Sequence, residues 1–139
     1  MLYAVLIYDL ESEVGNLSDS EMAKLITNHE RVQQKLAAEK KLGPVARLMP
    51  TTSAMTLKQR ENLVVDGPFA ETKEQLLGFY MIDCASQEEA LQEAKLIGGA
   101  CNARTLEVRP VQLFYPGIGL GKVEPERFVP RERAEQAVG

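Results

Sequence analysis

One histidine and two cysteines are all the imidazole and thiol ligands in the 139 residues, and carboxylates alone give no specific metal pattern. Cys84 and Cys101 form neither a zinc-type spacing nor a disulfide framework, so no metal and no cofactor is expected, and both thiols should be reduced and buried. Also missing is any apolar stretch near the roughly 18 residues of a membrane span. Residues 2–8 are apolar but meet Asp9 too soon, without a basic leader or a small-residue cleavage site, which speaks against export or membrane insertion and for the cytoplasm. Positive charge is short as well. Against 20 Asp and Glu stand 16 Lys and Arg, a formal charge of −4, and the basic residues are scattered among acids, so nucleic acid is not an expected partner. What is present, 45% hydrophobic and 26% charged residues, matches one globular domain with its own core.

The run at residues 2–8 reads as a buried strand. From Ser18 or Ser20, which can cap a helix, Met22, Leu25, Ile26, His29, Val32 and Leu36 recur at helical spacing. Gly43-Pro44 predicts the end of that helix near Leu42, since glycine accepts a left-handed cap and proline cannot continue the ladder. Short strands are expected at 45–48, 54–57 and 63–65, with a hairpin among them, and a strong strand at 76–84 carries Phe79, Tyr80, Met81 and Ile82. Ser86 caps a second helix with Ala90, Leu91, Ala94 and Ile97 on its apolar face, stopped by Gly98-Gly99. Residues 105–109 alternate as a strand, which Val111 to Tyr115 extend past Pro110. The order is β-α-β-β-β-α-β. Both helices fall on one sheet face, which leaves the other to be covered by a second copy of the chain in a homodimer. A domain at 1–115 is therefore expected, followed by an extended C-terminal arm at 116–139, where prolines 116, 125 and 130 punctuate a charged stretch and Leu120, Val123, Phe128 and Val129 can pack on a neighbour.

Gly117-Ile118-Gly119-Leu120-Gly121-Lys122 is no phosphate loop, because a P-loop needs four residues before Gly-Lys, then Ser or Thr and a helix. The most specific block is Val65-Asp66-Gly67-Pro68-Phe69-Ala70-Glu71-Thr72-Lys73-Glu74, followed by an aromatic strand and by Glu107-Val108-Arg109-Pro110-Val111. Over residues 2–113 this closely resembles the DGPF-domain group of the YCII-related family. The resemblance implies a ferredoxin-like α+β fold with an antiparallel sheet, assembled as a dimeric α+β barrel. Fold relatives of that group include muconolactone isomerases and lactone dehalogenases, and its members are often encoded beside alternative sigma factors.

Two residues stand out as candidates for catalysis. Asp66 before Gly67-Pro68 makes a sharp strand exit, with proline pushing Gly67 toward an extended backbone; it reads either as a turn former or as a carboxylate at a cleft mouth, tuned by Glu71, Lys73 and Glu74. His29 lies on the apolar stripe, so its ring should face the sheet, either as a core-edge histidine or as an acid–base group with a carboxylate such as Asp9. Some YCII-related proteins carry a helix histidine paired with an aspartate, and His29 falls in the corresponding part of the helix. Lys73 or Arg109 would hold a substrate's negative charge, although Arg109 can equally pair with Glu107 on its own strand face. Phe79 and Tyr80 point to opposite faces, one into the core and one into the cleft. Two functions follow as expectations: a binder of a small organic acid or lactone in a dimer cleft, with cofactor-free acid–base chemistry, or a non-catalytic interaction or regulatory module linked to alternative sigma-factor signalling.

Overall fold

The computed structural model describes residues 1–123. Its first strand, β1 (Leu2–Asp9), alternates without exception: Tyr3, Val5, Ile7 and Asp9 are buried and the residues between them half-buried. A short helix α1 (Glu11–Val14) leads to α2 (Asp19–Ala38), which starts in a full capping box. Ser18 Oγ accepts from the Glu21 N–H at 3.1 Å, and the Ser18 N–H donates back to Glu21 Oε1 at 3.1 Å. Strand β2 (Leu42–Arg47), strands β3 (Met55–Lys58) and β4 (Leu63–Asp66), and strand β5 (Gln75–Asp83) follow, then α3 (Gln87–Cys101), capped by Ser86, and β6 (Thr105–Pro110).

Four strands form one antiparallel sheet in the order β2-β5-β1-β6. This is the ferredoxin-like α+β arrangement, running β-α-β-β-α-β within the sheet. All four stretches expected as strands between the helices are strands, one more than the β-α-β-β-β-α-β order counted, and the middle two, β3 and β4, pair only with each other. Met1–Leu48 and Thr72–Tyr115 make up one unit; Met49–Glu71, with the described residues from Pro116 on, make up the other. The expectations for Pro125, Phe128, Val129 and Pro130 lie outside the described residues.

Period two decides what the first unit buries. Tyr3, Val5, Ile7, Tyr80 and Ile82 face the helices and pack with Val32 and Leu36 of α2 and Ala90, Ala94 and Ile97 of α3. The opposite face carries Ala4 and Leu6 of β1, Phe79 and Met81 of β5, and Glu107 and Arg109 of β6, aligned by register. Neither long helix covers it.

Both expected helix stops are displaced. Helix α2 ends four residues early: Lys40 takes a left-handed backbone (φ 58°), its N–H bonds to Ala37 O at 3.0 Å, and the Lys41 N–H bonds to Leu36 O at 2.8 Å. That pair of bonds closes a Schellman motif, and Leu42 already belongs to β2. Gly43-Pro44 instead forms a bulge on this edge strand, where Leu42 faces Ile82 and Val45 faces Tyr80; a Cβ at Gly43 would meet Met81 O at 2.7 Å. Helix α3 likewise runs through Gly98-Gly99 to the left-handed Asn102; Gly98 serves close packing, since a Cβ there would meet Leu106 Cδ1 at 2.9 Å. Strand β6 stops at Pro110, so residues 111–115 do not extend it. Since Lys40 is exposed and holds a conformation that costs a side chain more than glycine, Lys40→Gly is expected to stabilise the fold by about 1 kcal/mol, read as a higher urea midpoint at unchanged m value.

Candidate functional site

Helical spacing on α2 places Met22, His29 and Gln33 toward one end of the sheet, opposite Tyr80 at the middle of β5. His29 Nδ1 and Tyr80 Oη are 2.7 Å apart, and their rings lie with centroids 5.7 Å apart at a 30° tilt. Gln33 Nε2 approaches the same phenol oxygen at 3.5 Å. Tyr80 is 1% exposed, so it is the core-facing member of the aromatic pair and Phe79 takes the other sheet face.

Arg47, the last residue of β2, shares the helix-facing side with Val45 because it stands two residues on. Its guanidinium Nη1 donates to Met22 Sδ at 3.1 Å and makes no ion pair with a carboxylate among the described residues. It is partly desolvated although the residue keeps solvent contact, and burial lowers its pKa. Burial also pushes the His29 pKa down, with the Arg47 charge adding to the effect, while burial raises that of the Tyr80 phenol. Both shifts favour a neutral imidazole and a neutral phenol, beside one cation that has no carboxylate among the described residues. In a chain of net charge −4 such a cation is suited to an incoming anion.

The other expected residues have different company. Asp9, proposed as a partner for His29, is committed to Arg104, which donates to its Oδ1 at 2.5 Å and grips Glu13 through two bonds of 2.8 and 3.0 Å. This triad ties β1 to α1 and to the loop before β6. Arg109 pairs with Glu107 on the strand face away from the helices. Lys73 is exposed in the segment leading to β5, where the Gln75 side chain donates to Thr72 O at 2.7 Å and Lys73 O at 3.3 Å. Asp66 and Glu71 are exposed in the hairpin unit, Asp66 opposite Met55. Gly67 has a backbone that side-chain-bearing residues rarely take. It adopts φ +90°, and its N–H bonds to Ala54 O at 2.7 Å, so the Asp-Gly-Pro exit requires glycine itself. Sequence reasoning missed Gln33 and Arg47, though the i+4 step from His29 and the i+2 step from Val45 would each have pointed to them.

A shallow groove of about 390 Å³ lies between α2 and α3, with Arg31 and Lys95 on its walls; neither His29 nor Tyr80 lines it. Among the described residues no group of three or more His, Cys, Asp or Glu side chains converges as a metal site requires, and no helix is long and apolar enough to cross a membrane.

An antiparallel four-stranded sheet, two helices on one face, and a histidine on the first long helix aimed at that sheet define a small ferredoxin-like α+β protein. The YCII-related domain matches residues 1–114, and the chain belongs to that family. It is similar to an uncharacterised protein of Rhizobium meliloti, 52% identical over 120 residues that span 84% of this chain and 97% of the relative.

Proposed function

We propose that this YCII-related protein binds a small organic acid or lactone beside His29, in a cytoplasmic homodimer closed through the helix-free sheet face, and acts on it by acid–base chemistry that needs no cofactor. One observation carries the reading: Arg47, with no carboxylate against it among the described residues, stands by the half-buried His29 and its buried partner Tyr80. Arg47 supplies the charge that was expected from Lys73 or Arg109, and His29 serves the ligand's oxygen. Cys84, which is buried, and Cys101, half-buried where burial was expected, are not joined to each other, which is in keeping with the cytoplasm.

The test is calorimetric titration of a panel of small aromatic and aliphatic acids and their lactones. A hydrogen bond to a charged group contributes about 1.5 to 3 kcal/mol, so Arg47→Gln is expected to weaken acid binding by roughly tenfold to a hundredfold. Affinities that are the same in wild type and variant, or a panel in which nothing binds, would dispose of the reading.

A second reading has its own support. The hairpin unit exposes Met55, Leu57, Leu63, Val64 and Val65, and Phe69 is 87% exposed. A two-stranded hairpin cannot bury such side chains by itself, and clustered apolar surface marks contact with another protein. On this reading the chain is an interaction module, with sigma-factor signalling as its setting.

A further inference from the structure

We propose that His29 is held in one neutral tautomer, with its proton on Nε2 and its Nδ1 accepting from Tyr80, so that the ring meets the ligand as a hydrogen-bond donor, the acid side of the proposed acid–base chemistry and not its base. The argument is a count of protons around one oxygen. Tyr80 Oη has two polar neighbours among the described residues, His29 Nδ1 at 2.7 Å and Gln33 Nε2 at 3.5 Å. An amide nitrogen can only donate, so Gln33 occupies a lone pair of the phenol. The phenol has a single proton and is 1% exposed, which leaves His29 Nδ1 as the acceptor for it. The reverse arrangement, Nδ1–H donating to the phenol, would bring two donors to one oxygen and strand the phenol proton in a buried site. With Nδ1 engaged as an acceptor, the neutral ring carries its hydrogen on Nε2.

This assigns Tyr80 and Gln33 as positioning residues that act through His29. It also narrows the ligand. Beside a guanidinium, an Nε2–H suits a carboxylate or carbonyl oxygen and rejects a group that can only donate. The ligand half of the inference rests on the reading given under Proposed function; the tautomer half does not.

Because His29 is the only histidine, long-range ¹H–¹⁵N correlation spectra of the full chain at pH 7.5 report one ring. The expected pattern has Nδ1 in the unprotonated range and Nε2 in the protonated range. Protonated Nδ1, or two averaged nitrogens, would overturn the tautomer. Tyr80→Phe, checked for folding by its amide spectrum, is expected to release the ring into averaging; an unchanged pattern would show that Tyr80 is not what fixes it. Benzoate is then added to the wild type. A displaced Nε2 resonance supports the donor role, whereas no response at saturating benzoate overturns the ligand half together with the reading it rests on, and leaves the tautomer standing on its own data.

Discussion

Gly78→Ala is expected to destabilise the protein by about 2 to 3 kcal/mol and to weaken anion binding in the same variant. Gly78 sits within β5 between Ile7 of β1 and Arg47 of β2. An added Cβ would collide with the carbonyl oxygen of Ala46 and approach the Arg47 Cα to 3.1 Å. Both obstacles are backbone, so no rotamer change relieves them, and the edge strand must move outward. Overpacking of this kind costs about 1 to 3 kcal/mol, and rigid obstacles belong at the upper end. The shift would fall on Arg47 itself, which couples the stability of the sheet to the cation of the site. Urea unfolding together with benzoate titration checks both halves. A loss under about 0.5 kcal/mol, or a binding constant equal to wild type, would show that β2 yields without carrying Arg47 away.

Leu36→Ala is expected to have a still larger effect on stability, about 3 to 4 kcal/mol. Leu36 is fully buried, one turn after Val32 on the face of α2 that packs on the sheet, and its removal leaves a cavity that backbone hydrogen bonds on both sides hold open. In a domain of this size that corresponds to a fall in melting temperature of about 10 °C or more. Since His29 lies nearly two turns earlier on the helix, its tautomer should be unchanged in the folded variant. Thermal unfolding at several scan rates would measure the first part and the ring spectrum the second.

Much of this was legible in the sequence, because alternation and helical spacing are set by the same burial that the fold satisfies. Residues 2–8 read as a buried strand, and the stripe from Met22 to Leu36 turns His29 toward the sheet. The glycines misled. Gly43 and Gly98 looked like helix stops but serve close approach, to Met81 and Leu106, while the actual ends use Lys40 and Asn102 in left-handed conformations. Lys40 has no sequence signature as a terminator, since its conformation is imposed by the bonds of Lys40 and Lys41 back to the last turn. Asp9 was misleading for a different reason. It reads as a strand end and so as an available carboxylate, but Arg104, 95 residues away in sequence, arrives beside it only through the pairing of β6 with β1. Arg47 was overlooked because nothing local separates it from any other surface arginine until the register of β2 on β5 is known.

The two outer strands of the sheet bear on how copies of the chain can meet. Strand β2 has Gly43-Pro44 in its bulge, and β6 closes on Pro110. Each rim is thus interrupted by a residue that has no N–H to give, and the β2 rim is also bent. Lateral growth, in which strands of successive molecules align into a continuous ribbon, meets a gap at either border. The sheet can therefore leave both borders unpaired at high protein concentration with little tendency to polymerise through them.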